Sequence, residues 1–296
     1  MDVDRSKSFD ADDSFKLLGS EIRLGIVRAL GETWGPENRD PVPFSELRRL
    51  VGTEDSGQFD YHLGKLRGTY VRRTEDGYRL TYPGVRVYQT LEAGTFNERA
   101  TVEPFDLDAT CFGCGSALEA SYRNHLFRIA CGSCDRQYYK YFLPPGQVTA
   151  SPVAELLDTL DTALRRDLAA VVSGVCPSCS GAVELAVGPE VGCVFDANDV
   201  LDVAASYDCT LCGSHLESTV GGALVAHPAL VSFFYRRGVD LSDRRLWTLP
   251  FVHDESRTTL RSTDPVRAAV TARCDGDELS LVVDGGLDVV SVEGAP

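Results

Sequence analysis

Eight of the chain's ten cysteines fall into four Cys-x-x-Cys pairs: Cys111/Cys114, Cys131/Cys134, Cys176/Cys179 and Cys209/Cys212. Two residues between thiolates let both sulfurs of a tight turn face one ion, and two such turns supply the four ligands of tetrahedral zinc. Chain order predicts two local sites. Cys111 and Cys114 pair with Cys131 and Cys134 across sixteen residues, and Cys176 and Cys179 pair with Cys209 and Cys212 across twenty-nine. Gly115 and Gly213 follow the second cysteine of their pairs, where such a turn needs a positive φ. Disulfides, redox dithiols and iron–sulfur clusters are the competing uses of these thiols. The acidic start, Met1-Asp2-Val3-Asp4-Arg5, is not followed by an apolar segment, so no secretory leader and no disulfide framework are expected. A redox dithiol uses one such pair in a βαβ setting, not four in tandem. Iron–sulfur ligation uses thiolates too and stays open. Protein fills every coordination position, so two structural zinc ions per chain are the favoured expectation. Cys193 and Cys274 stand alone with no neighbouring base and are expected to be small buried hydrophobes.

The 296 residues can hold two or three domains. The net charge is −15, with four lysines (Lys7, Lys16, Lys65, Lys140) against twenty-five arginines. Residues 1–100 hold fifteen basic and seventeen acidic side chains, whereas residues 101–296 hold fourteen and twenty-seven. The near-neutral N-terminal third is therefore the end suited to face a polyanion. No run of eighteen apolar residues exists, so no membrane span is expected and the cytoplasm is the expected location.

The elements around these residues follow from periodicity. Asp12-Asp13-Ser14 offers N-cap chemistry, and Phe15, Leu18, Ile22, Ile26 and Leu30 then predict one face of a single helix stopped by Gly31. A polar connection through Trp34, Pro36 and Pro41 follows. Ser45 is expected to cap a short helix over residues 46–51 that ends at Gly52. Asp55-Ser56 opens a third helix with Phe59, Leu63 and Leu66 buried and Gln58, Tyr61, His62 and Lys65 on the other face. Residues 71–80 read as a β-hairpin turning at Asp76-Gly77. Three helices and a hairpin are the order of a winged helix-turn-helix. Ser56, Gln58, Tyr61, His62 and Lys65 are then candidates for groove contact, and Arg72, Arg73 and Arg79 for phosphate contact.

The segment from Phe15 to Leu24, Phe15-Lys16-Leu17-Leu18-Gly19-Ser20-Glu21-Ile22-Arg23-Leu24, resembles the opening helix of arsenic-repressor-type (ArsR-like) regulators. Asp60-Tyr61-His62-Leu63-Gly64-Lys65-Leu66 resembles their recognition helix as written in haloarchaeal members, and Tyr70-Val71-Arg72-Arg73 running into Gly77-Tyr78-Arg79-Leu80 resembles their wing. The acidic, lysine-poor composition is similarly like halophilic proteins. The resemblance covers about residues 13–95. It implies duplex DNA as partner and a homodimer paired through the helix that Pro83 begins and Gly94 ends. It departs from the family's metal sensors in one respect, since residues 1–110 contain no cysteine.

Beyond Pro104, residues 117–122, 126–130 and 137–142 alternate as short strands. Tyr138, Tyr139, Tyr141 and Phe142 form an aromatic cluster with only Arg136 and Lys140 beside it, so packing is expected rather than stacking on nucleic acid. Ser151-Pro152 precedes a helix striped by Val153, Leu157, Leu160, Leu164, Leu168 and Val171. Asp196-Ala197-Asn198-Asp199 lacks full calcium-loop spacing and reads as a solvated loop. His227-Pro228 starts a further helix, and residues 266–274, 279–283 and 287–292 read as strands. His227-Pro228, Trp247-Thr248-Leu249 and the closing strands resemble an uncharacterised region found behind winged helices in haloarchaeal regulators. His125, His215, His227 and His253 are expected in structural or surface roles.

The expected fold is α+β. It comprises a winged helix-turn-helix with a dimerisation helix over 1–98, a first zinc ribbon over 105–148, a connecting helix over 151–173, a second ribbon over 174–222 and a small α+β tail over 223–296. A DNA-binding transcription regulator is the leading function, and an adaptor docking on transcription machinery is the alternative. No phosphate-cradling loop, nucleophile elbow, His-Glu-x-x-His or open metal position is present, so no enzyme is expected.

Overall fold

Gly19 and Ser20 interrupt the apolar stripe that begins at Phe15, and the chain breaks there. In the computed structural model, which describes residues 10–33, 40–189 and 202–294, the expected first helix is two. Helix α1 (Ala11–Lys16) is capped by Asp10, whose carboxylate accepts from Asp12 N at 2.8 Å. Helix α2 (Glu21–Glu32) starts after Ser20, whose extended backbone ends the helical run. The Arg23 guanidinium donates to the carbonyls of Leu17 and Lys16, satisfying orphan acceptors at the end of α1. The split leaves Phe15 71% exposed while Ile26 and Leu30 are buried. Trp34, Pro36, Cys193 and the acidic loop 196–199 lie outside the described residues.

Helix α3 (Phe44–Val51) follows Pro43, two residues earlier than the expected cap Ser45, and ends at Gly52 with φ 73°. Helix α4 (Ser56–Leu66) begins where Asp55 accepts from Gly57 N at 2.7 Å and Gln58 N at 3.0 Å. Strands β1 (Val71–Arg73) and β2 (Tyr78–Leu80) form the hairpin, pairing Val71 with Leu80, Arg72 with Arg79 and Arg73 with Tyr78. Val42 adds a third, one-residue bridge by exchanging both backbone hydrogen bonds with Tyr78 at 3.0 Å. Gly77 is required by that approach: at φ 154° a Cβ would stand 2.4 Å from the Val42 carbonyl oxygen. Helix α5 (Tyr82–Glu92) is capped by Thr81. Ile26, Val27, Leu30, Leu47, Phe59, Leu63, Leu66, Val71 and Leu80 are the core of these elements.

The chain divides into two compact units: Met1–Glu98 with Pro144–Gly146, and Arg99–Leu143 with Gln147–Pro296. The second unit opens with an antiparallel sheet in the order β3 (Thr101–Thr110), β4 (Ala117–Arg123), β5 (Leu126–Cys131), β6 (Gln137–Phe142). Helix α6 (Pro145–Ala150) precedes α7 (Val153–Val172). A three-stranded sheet follows, β7 (Val183–Gly188), β8 (Ala204–Cys209) and β9 (His215–Thr219), then helices α8 (Val220–Ala223), α9 (Pro228–Tyr235) and α10 (Pro250–His253). A last meander orders β10 (Thr258–Thr263), β11 (Val266–Cys274), β12 (Asp277–Asp284) and β13 (Val289–Gly294).

One hydrophobic cluster runs through this unit, from Leu118 and Ile129 through Leu156, Leu160 and Phe233 to Trp247 and Leu281. The stripe of α7 from Leu157 to Val171 lies in or against it, whereas Val153 is exposed, and two carboxylates of the same helix are buried. Asp161 accepts from Leu246 N at 2.7 Å and Arg165 Nε at 2.6 Å. Asp167 accepts from the Tyr141 hydroxyl at 2.6 Å and Arg166 Nε at 2.8 Å. Buried charge is tolerated because each carboxylate is fully engaged. No helix of the described residues is long and apolar enough to cross a membrane.

Candidate functional site

Three of the four Cys-x-x-Cys turns close the same pair of backbone hydrogen bonds, and the turn at Cys131 closes one of them, Cys131 N to Arg136 O at 2.9 Å. In the first, Gly115 N donates to Cys111 O at 2.9 Å and Cys111 N to Ser116 O at 2.8 Å; in the fourth, Gly213 N donates to Cys209 O at 3.2 Å and Cys209 N to Ser214 O at 2.8 Å. The residue after the second cysteine has positive φ in all four turns: Gly115 at 76°, Asp135 at 57°, Ser180 at 62° and Gly213 at 71°. This backbone turns N–H groups toward the sulfurs. Ser133 N and Cys134 N lie 3.4 and 3.5 Å from Cys131 Sγ, and Leu211 N and Cys212 N lie 3.4 and 3.5 Å from Cys209 Sγ.

Antiparallel pairing then brings the turns together two by two. The sulfurs of Cys111, Cys114, Cys131 and Cys134 lie within 4.8 Å of one another, as do those of Cys176, Cys179, Cys209 and Cys212. Closest approaches are 3.7 Å for Cys111–Cys134, 3.4 Å for Cys114–Cys131, 3.8 Å for Cys176–Cys212 and 3.4 Å for Cys179–Cys209. These are far longer than a disulfide bond, about 2.05 Å. They match the edges of about 3.8 Å that a tetrahedron with metal–sulfur bonds of about 2.3 Å requires. Each cluster could hold one metal ion.

Four of the thiols, Cys111, Cys114, Cys176 and Cys209, are biased toward ionisation. Cys114 is lowered to about 6 by hydrogen bonds from the backbone and side chain of Ser116 and from neighbouring thiols. Cys209 is lowered to about 6, chiefly by the N–H groups of Cys212 and Leu211. Cys111 pays a burial penalty, yet lies below the ordinary thiol value because the Tyr138 hydroxyl and the N–H groups of Cys114 and Gly113 reach it. Cys134 and Cys179 are pushed up to about 12, because despite one backbone donor each, burial and adjacent thiols oppose a further negative charge. Clustered thiols that cannot all ionise alone are what a cation neutralises.

In the N-terminal unit, α4 and the hairpin carry the other candidate residues. Ser56, Gln58, Tyr61, Lys65, Arg72 and Arg73 are exposed, and the Lys65 ammonium stands 5.4 Å from the Tyr61 ring centroid. His62 is half-buried, its Nδ1 held 3.3 Å from an Arg23 guanidinium nitrogen, and burial and then Arg23 lower its pKa. Arg79 is also half-buried, and its Nε is shielded from solvent with no hydrogen-bond partner among the described residues. These two are less exposed than the other six candidates.

Residues 108–289, more than half of the chain, match the family described as Domain of unknown function (DUF7351), and residues 11–91 match Domain of unknown function (DUF7347). The chain belongs to the DUF7351 family. No curated protein and no solved structure matches it.

The DUF7351 region contains both cysteine clusters, α7 and most of the closing meander. Within it, Tyr138 is a site residue that spacing did not single out. It is buried, accepts from Phe112 N at 2.7 Å and hydrogen-bonds Cys111 through its hydroxyl. Only the fact that a tyrosine lies four residues beyond Cys134 could have drawn attention to it. The histidines serve the scaffold: His227 Nδ1 caps α9 by accepting from Ala229 N at 3.2 Å, and His215 bridges Asp208 at 2.7 Å and Glu217 at 3.1 Å. The His253 ring packs 4.8 Å from Tyr138 and 4.9 Å from Tyr139.

Proposed function

We propose that the chain is a homodimeric transcription regulator of the cytoplasm. Its N-terminal unit acts as a winged helix-turn-helix on duplex DNA, and its DUF7351 region is stapled by two structural zinc ions. The observation that carries the DNA reading is the exposure of Gln58, Tyr61 and Lys65 on α4 together with that of Arg72 and Arg73 on the hairpin that follows it. A helix of eleven residues with an exposed polar face suits a major groove, and the short cationic hairpin that follows it suits the flanking phosphates. The Val42–Tyr78 bridge supports the same reading, because it anchors the hairpin to the helices. Tyr82 at the start of α5 and Phe96 just beyond it are 76% and 75% exposed, which favours pairing of two copies there.

The sulfur spacing favours one tetrahedrally held ion per cluster, for which we propose zinc. A cluster with inorganic sulfide between several irons would hold its thiolates further apart than 3.4–3.8 Å. Four protein ligands leave no open position, so the ions supply folding free energy and no chemistry on a substrate.

Selection from random duplexes with the full-length protein tests this assignment. A short, two-fold symmetric motif is expected. Exchange of both Arg72 and Arg73 for alanine should weaken binding to every sequence alike and flatten its dependence on salt by about two phosphate contacts, near 1.8 in the log–log slope. A change in the preferred sequence would contradict phosphate contact by the hairpin. Absence of any selected motif would favour docking on transcription machinery.

A further inference from the structure

The outer face of the β3–β6 sheet carries an arrangement that the proposed function does not use. Cross-strand partners share a face. One row reads Thr101, Arg123, Leu126, Phe142, and the next Ser121, Arg128, Lys140. The opposite face presents Tyr122, Phe127, Ile129 and Tyr139 to the core. Three cations and an aromatic ring thus share one small solvent-facing area, although residues 101–296 hold nearly twice as many acidic as basic side chains.

We propose that this face binds single-stranded nucleic acid, with Phe142 as a stacking platform and Arg123, Arg128 and Lys140 as phosphate contacts. Phe142 is 77% exposed and makes no ring contact among the described residues. Exposing a phenyl ring to water at the end of a strand has no packing benefit, but it offers a flat π-face to a base. Arg128 is pre-positioned: its Nε donates to Gln137 Oε1 at 2.7 Å, and Gln137 is itself fixed by donating to Ile129 O at 2.7 Å and Tyr139 O at 3.0 Å. Lys140 makes no ion pair among the described residues. Arg123 reaches Glu103 at 3.8 Å, a pair so exposed that a phosphate competes with it readily.

The rows are spaced by about 7 Å along the strands, and Arg123 and Phe142 lie about 10 Å apart across them, enough for two or three nucleotides. Unstacked bases distinguish a single strand from a duplex, whose bases are hidden from a flat sheet. Asp106 and Glu119 lie on the cysteine-turn side of the cationic rows, so the strand is expected at the end remote from them. Sequence proximity hid this site. Only the sheet joins Arg123 and Arg128 to Phe142, and it withdraws Tyr138 and Tyr139 into the core.

The test is fluorescence anisotropy of labelled oligo-dT and oligo-U with full-length protein, at low and at molar salt. Binding of either strand supports the proposal. Phe142→Ala should weaken it about 5- to 150-fold at both salt concentrations, since stacking is not screened. Lys140→Glu should weaken it at low salt, with the effect fading at molar salt. Both positions are exposed, and unchanged circular dichroism and metal content establish that the variants fold. No binding of either strand, insensitivity to both variants, or equal competition by polyglutamate would overturn the proposal. Loss of binding on exchange of Arg72 and Arg73 for alanine would overturn it too, by assigning the strand to the N-terminal unit.

Discussion

Tyr138→Phe removes one oxygen atom that does two jobs. The hydroxyl accepts from Phe112 N at 2.7 Å and hydrogen-bonds Cys111 through its proton. Losing the first leaves a backbone N–H short of a partner, at a cost of about 1–3 kcal/mol whether or not metal is bound. Losing the second raises the energy of the Cys111 thiolate alone, which matters only in the metal-loaded form. Removal of such an outer partner costs 10- to 100-fold in metal affinity, or about 1.4–2.7 kcal/mol. The second cluster supplies an internal control, since the donors reaching Cys176 are the backbone N–H groups of Cys179 and Ser178. Titration of the loaded variant with a chromogenic chelator should therefore split into two phases. One ion per chain leaves at 10- to 100-fold lower chelator than in the parent, and the other is unshifted. Retention of both ions at parental chelator levels would refute a role for Tyr138 at the first centre. Simultaneous early loss of both would refute the independence of the two centres.

Three further outcomes follow from particular contacts. Elemental analysis should find two zinc ions per chain, and Cys111→Ser should release one while the N-terminal unit keeps its thermal transition; iron, or a single ion in the parent, would contradict the metal assignment. Gly77→Ala should destabilise the N-terminal unit by about 2–4 kcal/mol, because its Cβ meets the Val42 carbonyl oxygen at φ 154°, and an unchanged melting temperature would contradict that approach. Burial, then the charge of Arg136, holds His253 down to about 3, below its unfolded value of 6.5. The unfolded chain therefore binds more protons between those values, so stability falls as pH drops from about 6.5 toward 3, by up to about 1.4 kcal/mol per unit. His253→Leu should flatten that part of the denaturation profile relative to the parent, and an identical slope would show that the ring is not buried neutral.

Both cysteine clusters were legible because the chemistry is local: two residues between ligands define each turn, and antiparallel pairing joins turns in chain order. The positive φ after each pair was legible only at Gly115 and Gly213. Asp135 and Ser180 adopt it too, but those residue types do not announce a left-handed backbone. The strands β4, β5, β6, β11 and β12 showed in alternation because they bury one face or both. Strands β3 and β10 did not: β3 carries Pro104 and a largely exposed polar pattern, and β10 alternates half-buried with exposed residues without a buried one. Periodicity also carried Phe15 into α2, because it counts apolar positions and is blind to Arg23 capping the carbonyls of Lys16 and Leu17. His62 was grouped with its exposed neighbours for the same reason: Arg23, which holds it, lies 39 residues away. The apolar stripe of α7 was visible, but the shared core that receives it joins segments more than a hundred residues apart.

Chromatin immunoprecipitation of the tagged protein from its own cells, followed by sequencing, tests the regulator assignment most directly. The assignment predicts discrete peaks that share one short inverted repeat and vanish when Arg72 and Arg73 are alanine. Uniform signal over active promoters, or no enrichment anywhere, would contradict sequence-specific DNA binding by the N-terminal unit.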